Sequence, residues 1–117
     1  MAQDATPFGL VVWFTLRPGS ESDFDDLVAR TTAGILAHEP DTLVYACHHV
    51  DGSPRERIFC ELYRDRAAFG AHEAQAHTRQ FLAEREPLLE STQVDFLSLA
   101  GGKVPVSAGP ADCPSKL

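Results

Sequence analysis

Residues 72–77 read HEAQAH: two histidines, with a glutamate directly after the first. A histidine pair beside a carboxylate can build a zinc site, an acid–base couple or a buried hydrogen-bonded cluster. Zinc-protease helices space their histidines four residues apart, so that both point at one ion. Here the spacing is five. At about 100° per residue the two rings diverge by about 140° on a regular helix. The fourth position is Ala76, which cannot ligate, and the pattern places no third ligand. The spacing therefore argues against metal.

His72 shares a stripe with Phe69 and Ala76 and faces inward. It is either a buried histidine satisfied by one hydrogen bond or a polar group lining a cavity between helix and sheet. His77 falls at an expected bend, where it bonds a free carbonyl or faces a ligand.

Glu61 is the more unusual acid, because it lies in an apolar strand on the parity of Phe59 and Tyr63. Burial disfavours its charge, so it must be paired or hold its proton tightly. His72 or an arginine is the expected partner. His48 and His49 point to opposite faces of their strand, and hairpin register decides which one faces inward. Trp13 is either core or a planar stacking surface at a cavity wall.

The elements that must position these groups are legible in outline. Residues 8–16 (FGLVVWFTL) form a strand that is apolar on both parities. RPGS (17–20) turns the chain into a helix over 21–38. There Phe24, Leu27, Val28, Thr31, Ile35 and His38 make one stripe. Ser20 or Ser22 caps its start and Pro40 lies past its end. His38 is expected to sit as a cation at the negative end of the helix dipole.

Residues 42–50 and 56–63 are strands joined by a turn at 51–54 into a hairpin. Asp65 caps a helical stretch reaching Leu89. Its apolar phase shifts from Phe69, His72 and Ala76 to Phe81, Leu82, Arg85, Leu88 and Leu89. That shift implies two helical pieces with a bend near 74–78. The fourth strand covers 92–100, and residues 101–117 read as a Gly/Pro-rich C-terminal tail after a domain spanning 1–100.

The order β-α-β-β-α-β is the ferredoxin-like α+β pattern, a four-stranded antiparallel sheet with helices on one face. The other face would be bare and apolar, more than a soluble monomer tolerates. A second copy stacking sheet to sheet is the simplest cover, which implies a homodimer.

With 17 acids against 10 Lys+Arg, the chain carries a formal charge of −7, which disfavours nucleic acid as a partner. No apolar run reaches the ~18 residues of a membrane span. The start MAQDATP lacks a leader pattern, so the expected location is cytoplasmic. Cys47, Cys60 and Cys113 form no CxxC, and the first two read as small buried hydrophobes.

On these residues the chain resembles a known family. Glu61, Tyr63, Asp65, Ala68, Phe69, His72, His77 and Phe81 follow the run E-x-W/Y-x-D-x-x-A-[LF]-x-x-H-x-x-x-x-H-x-x-x-F. That run is similar to the antibiotic biosynthesis monooxygenases, which are dimeric α+β barrels. The resemblance covers roughly residues 8–100. It implies oxidation of a quinol, an anthrone or a related polyphenolic aromatic by O2, with no metal or flavin cofactor. His72, Glu61 and Tyr63 would be catalytic, with Glu61 orienting His72. Trp13, His48, Phe59, Phe69, His77 and Phe81 would bind the substrate.

Two departures bear on the chemistry. Polyketide-modifying members pair Asn with Trp on the third strand, where this chain has Phe59 and Tyr63, which shifts weight from an anthrone oxygenase toward a quinol oxidase or an uncharacterised relative. Haem-degrading members need an Asn and a ligating His where Val12 and Phe81 or Leu82 stand, which disfavours haem degradation. A non-catalytic small-molecule-binding or stress-response role on the same barrel is the alternative.

Overall fold

The structure, a computed structural model, describes residues 5–105. Its elements are β1 (Phe8–Leu16), α1 (Glu21–His38), β2 (Thr42–Val50), β3 (Ser53–Tyr63), α2 (Arg66–Glu73), α3 (Ala76–Arg85) and β4 (Leu89–Ser98). The four strands make one antiparallel sheet in the order β2-β3-β1-β4. This is the ferredoxin-like α+β fold, with the helices on one face.

Alternation along β1 decides which side chains meet the helices. Phe8, Leu10, Val12, Phe14 and Leu16 are buried together with Phe24 and Leu27 of α1 and Phe81 of α3. Across the sheet, Val12 lies between Phe59 of β3 and Val94 of β4. Phe59 meets Phe14 edge to face at 5.3 Å and 89°, and Phe24 at 6.2 Å and 87°. Truncating one ring of such a cluster costs about 3–5 kcal/mol in comparable cores.

The opposite parity carries Val11, Trp13, Ile58, Cys60 and Leu62 on the face that no helix covers. Cys60 is accordingly exposed rather than buried, while Cys47 is half-buried. Cys113 and the rest of the tail beyond residue 105 lie outside the described residues. Residues 99–105 add no helix or strand.

Several boundaries differ from the sequence expectation for local reasons. β3 starts at Ser53, so the hairpin turn shrinks to Asp51–Gly52, with Gly52 at a φ of 80°. Positive φ of that kind suits glycine in two-residue hairpin loops. Leu88 and Leu89 are not helical continuations of α3. Pro87, lacking an N–H, starts a single 3-10 turn over Glu86–Leu88, and Leu89 already belongs to β4. Ser20 stands at the start of α1, but its side chain makes no capping bond. Asp65 does cap α2, its carboxylate accepting the Ala68 N–H at 2.8 Å. No helix of the described residues is long and apolar enough to cross a membrane.

Candidate functional site

Two polar clusters lie between the helices and the sheet, and Thr78, which lines the cavity of the second, reaches His72 of the first at 3.5 Å. The first is built on Glu39. Pro40 disfavours helical geometry at the residue before it, and Glu39 accordingly closes α1 at φ −127°, ψ 75°. Its carboxylate side chain is only 5% exposed. Oε1 accepts from the Thr42 hydroxyl at 2.7 Å and from His72 Nδ1 at 2.7 Å. Oε2 accepts from His77 Nε2. An ionised carboxylate only accepts, so both ring nitrogens facing it carry hydrogen. Burial raises the proton affinity of Glu39, but the bonds from Thr42, His77 and His72 outweigh it and hold the pKa below the ordinary value.

Both histidines of HEAQAH therefore clasp one carboxylate. The chain achieves this by breaking the helix. α2 ends at Glu73 and α3 begins at Ala76, with Gln75 extended between them at φ −70°, ψ 144°. That single extended residue resets the rotation and turns His77 back toward Glu39. His77 packs against α1 so closely that a Cβ on Gly34 would lie 2.6 Å from its ring. It also stacks on His38 at 6.2 Å. His72 lies under Tyr45, Tyr63 and Phe69, with ring centroids at 5.9, 5.2 and 6.3 Å.

The second cluster lines an apolar cavity of about 170 Å³. Its floor is Leu10, Val12 and Phe59 of the sheet; Phe69 and Phe81 form the helical wall. Leu82, Val94 and Phe96 are exposed and form its rim. Glu61 reaches into it from β3. The Tyr63 hydroxyl donates to Glu61 Oε1 at 2.6 Å. Burial pushes the Glu61 pKa up, and the Tyr63 bond and the charges of His72 and Arg85 pull against it without cancelling it. Burial, then the Glu61 charge, raises the Tyr63 phenol strongly.

Arg85 enters the same cavity from the end of α3. Its guanidinium lies 5.2 Å from the centre of the Phe14 ring and 5.7 Å from that of Phe81. Its Nε is buried and has no hydrogen-bond partner among the described residues. Burial lowers the pKa of Arg85, although a guanidinium stays charged at neutral pH. The cavity thus combines aromatic walls, a buried carboxylate (Glu61) whose proton affinity is raised, a second, exposed carboxylate (Glu73) and one cation with a free donor.

The sequence-derived candidates are distributed unevenly over this geometry. Glu61, Phe59, Phe69 and Phe81 line the cavity, and the Tyr63 hydroxyl meets it through Glu61. His72 and His77 belong to the Glu39 cluster, so the partner of His72 is Glu39 rather than Glu61. Trp13 and His48 are corrections to the expected binding wall. Trp13 pairs with Ile58 and Gln93, and His48 with Ile58, on the face away from the helices. His48 is exposed there, with Nδ1 3.2 Å from the Ile58 carbonyl. His49 takes the helix-facing position and meets Asp25 at 3.4 Å. That places it beside Arg57 at the hairpin end, outside the cavity lining.

Glu39 was the residue missed, and the signal for it was a glutamate directly before Pro40 at a helix end. The described residues contain no group of three or more His, Cys, Asp or Glu placed to hold a metal ion.

The fold and the cavity together define a ferredoxin-like α+β domain with an aromatic site between helices and sheet. The family model for antibiotic biosynthesis monooxygenase matches residues 7–84, which is 78 of the 117 residues, and the chain belongs to that family. Among solved structures it is similar to PA3566 of Pseudomonas aeruginosa, at 24% identity and a TM-score of 0.75. That match covers 86% of this chain and 100% of the other. A Caulobacter crescentus protein proposed to be an antibiotic biosynthesis monooxygenase matches at 19% identity and a TM-score of 0.78, covering 83% and 92%. Rv0793 of Mycobacterium tuberculosis matches at 21% identity and a TM-score of 0.75, covering 83% and 98%. At these identities the likeness is one of fold. No curated protein matches the sequence.

Proposed function

We propose that the protein is a cofactor-independent monooxygenase that oxidises a quinol-type phenolic aromatic with O2. What carries this reading is the aromatic cavity that encloses one carboxylate, Glu61, with raised proton affinity. A base that titrates closer to neutrality is better matched to abstracting a phenolic proton. The resulting anion is electron-rich enough to pass an electron to O2, so the reaction needs no resident metal or flavin. One quinol and one O2 give one hydroxyquinone and one water. A C–O bond forms on the ring, the O–O bond breaks, and the ring gives up four electrons.

Oxygen uptake by the purified protein with a reduced benzoquinol tests this. The expected result is one O2 consumed per quinol, with the hydroxyquinone as product and no requirement for added metal. Binding without uptake would instead establish the non-catalytic reading. A Soret band on titration with haemin would point to haem chemistry.

The site is proposed to work within a cytoplasmic homodimer. Support for the location is that Cys47 and Cys60 are both free thiols, which suits a reducing compartment. The dimer is supported by the uncovered face bearing Val11, Trp13, Ile58 and Leu62, and by Leu97 beside it, 45% exposed. Sedimentation velocity is expected to show a dimer for the parent chain and a monomer for Trp13→Asp, since a buried charge there would oppose sheet-to-sheet stacking. A monomeric parent would remove the dimer from the reading.

A further inference from the structure

The cavity holding Glu61 and Arg85 is small enough, and charged in such a way, that its occupant can be narrowed beyond the proposed reaction class. Its volume is about 170 Å³. Sites for drug-sized ligands run to ~300–1,000 Å³, whereas an apolar cavity of ~150 Å³ accepts a single benzene. One substituted ring fits within this space, whereas three fused rings would extend past the exposed rim of Leu82, Val94 and Phe96 into solvent. Phe59 and Phe81, tilted against each other at 6.0 Å and 57°, give that ring one continuous aromatic wall.

The polar groups restrict the chemistry at the same time. Glu61 and Glu73 both line the cavity, so a ligand arriving with a fixed negative charge meets two carboxylates. A neutral hydroxyl does not. It can hand its proton to Glu61, and the oxygen left behind then carries the charge that Arg85 lacks. The buried Arg85 Nε, which no described residue accepts from, is the donor available to it. Burying that donor unpaired is costly, and an oxyanion relieves the cost.

We propose that the cavity selects a single-ring phenol and binds it as the phenolate, the proton resting on Glu61 and the oxygen paired with Arg85. The proton moves from the phenolic O–H to a Glu61 oxygen, and no electrons change hands in this step. Arg85 is thereby the residue that distinguishes an ionisable phenol from a neutral arene, and the short cavity is what rejects polycyclic analogues. This rests on the Glu61 site of the proposed function, but it concerns what is bound, and it is read without turnover.

The test uses 4-nitrophenol, whose phenolate absorbs in the visible, with 4-nitrobenzoate and 1-hydroxyanthracene as comparison ligands. Calorimetry on the full chain is expected to give one 4-nitrophenol per chain, bound at least about tenfold more tightly than either comparison ligand. A tenfold difference corresponds to about 1.4 kcal/mol. Below the pH at which free 4-nitrophenol ionises, binding is expected to raise the phenolate band. Arg85→Gln is expected to lose that band and weaken binding at least about tenfold, with an unchanged circular dichroism spectrum.

Equal or tighter binding of 1-hydroxyanthracene would overturn the size limit. Equal binding of 4-nitrobenzoate, or a phenolate band that survives Arg85→Gln, would overturn the charge assignment. Selective binding with no oxygen uptake would leave this inference standing and remove the oxygenase reading. Oxygen uptake with a tricyclic anthrone would do the reverse.

Discussion

Glu61→Gln is expected to lower kcat for a benzoquinol by roughly 10²–10⁴-fold, the usual contribution of a positioned general base. Glutamine keeps the shape of the side chain and an oxygen that accepts from the Tyr63 hydroxyl, so the hydrogen bond at 2.6 Å survives. What disappears is the site that takes the proton. The loss should shrink at high pH, where the quinol ionises in water and needs no base.

In the parent protein kcat/KM should rise with pH through the Glu61 pKa. Burial places that titration above the ordinary glutamate value of 4.5. The same shift acts on stability with the opposite sign. A carboxyl whose folded pKa is raised binds more protons folded than unfolded, so its stabilising contribution is lost as pH rises from 4.5 through the folded pKa. Glu61→Gln should therefore be no less stable than the parent near neutrality by urea denaturation. Full activity in Glu61→Gln at neutral pH would sink the assignment of Glu61 as base.

A carboxyl that burial makes costly to ionise, lining the cavity, fits a site where function opposes stability. The core around it carries the compensation, with Phe14, Phe24, Phe59 and Tyr63 all fully buried.

How the sequence encodes this arrangement depends on the range of the interaction. Alternation in FGLVVWFTL and the α1 stripe is local, and the sheet and helix that it implies are the ones found. The phase shift between Phe69 and Phe81 likewise located the helix break at Ala74–Gln75. Parity also put Glu61 beside Phe59 and Tyr63 correctly. Parity cannot say which of two apolar faces the helices will take, and so Trp13 and His48 were placed at the cavity although they face away from it.

The divergence of His72 and His77 followed from assuming a regular helix. One extended residue, Gln75, invalidates the rotation without changing the spacing. Glu39 was out of reach for a different reason. It lies 33 residues before His72 and 38 before His77, and only the packing of α1 across α2 and α3 brings them together. Arg85 falls between these cases: its place on the inward stripe was legible, its unpaired Nε was not.

Removing that long-range clasp should have the largest effect on stability of any polar substitution in the described residues. Glu39→Ala is expected to cost about 2–4 kcal/mol, since it strands the Thr42 hydroxyl and two histidine donors in a buried site. Against a total stability of ~5–15 kcal/mol this is a large fraction, and urea midpoints would show it directly. Glu39→Gln retains one acceptor oxygen for Thr42 and His72, but turns an amide N–H₂ toward His77, and should cost about half as much.

The pH dependence separates a charged clasp from simple packing. Because the folded pKa of Glu39 lies below 4.5, its contribution is present above that value and is lost as pH falls through the folded pKa. The gap between parent and Glu39→Gln should therefore be widest near neutrality and close in acid. Gln75, the hinge between α2 and α3, lies between two histidines that are both tied to Glu39 at the end of α1. Hydrogen exchange in residues 72–78 should accelerate in Glu39→Ala more than in β1, which the clasp does not touch. A gap between parent and Glu39→Gln that stays constant from neutral to acid pH would show that the carboxylate acts by shape and not by charge.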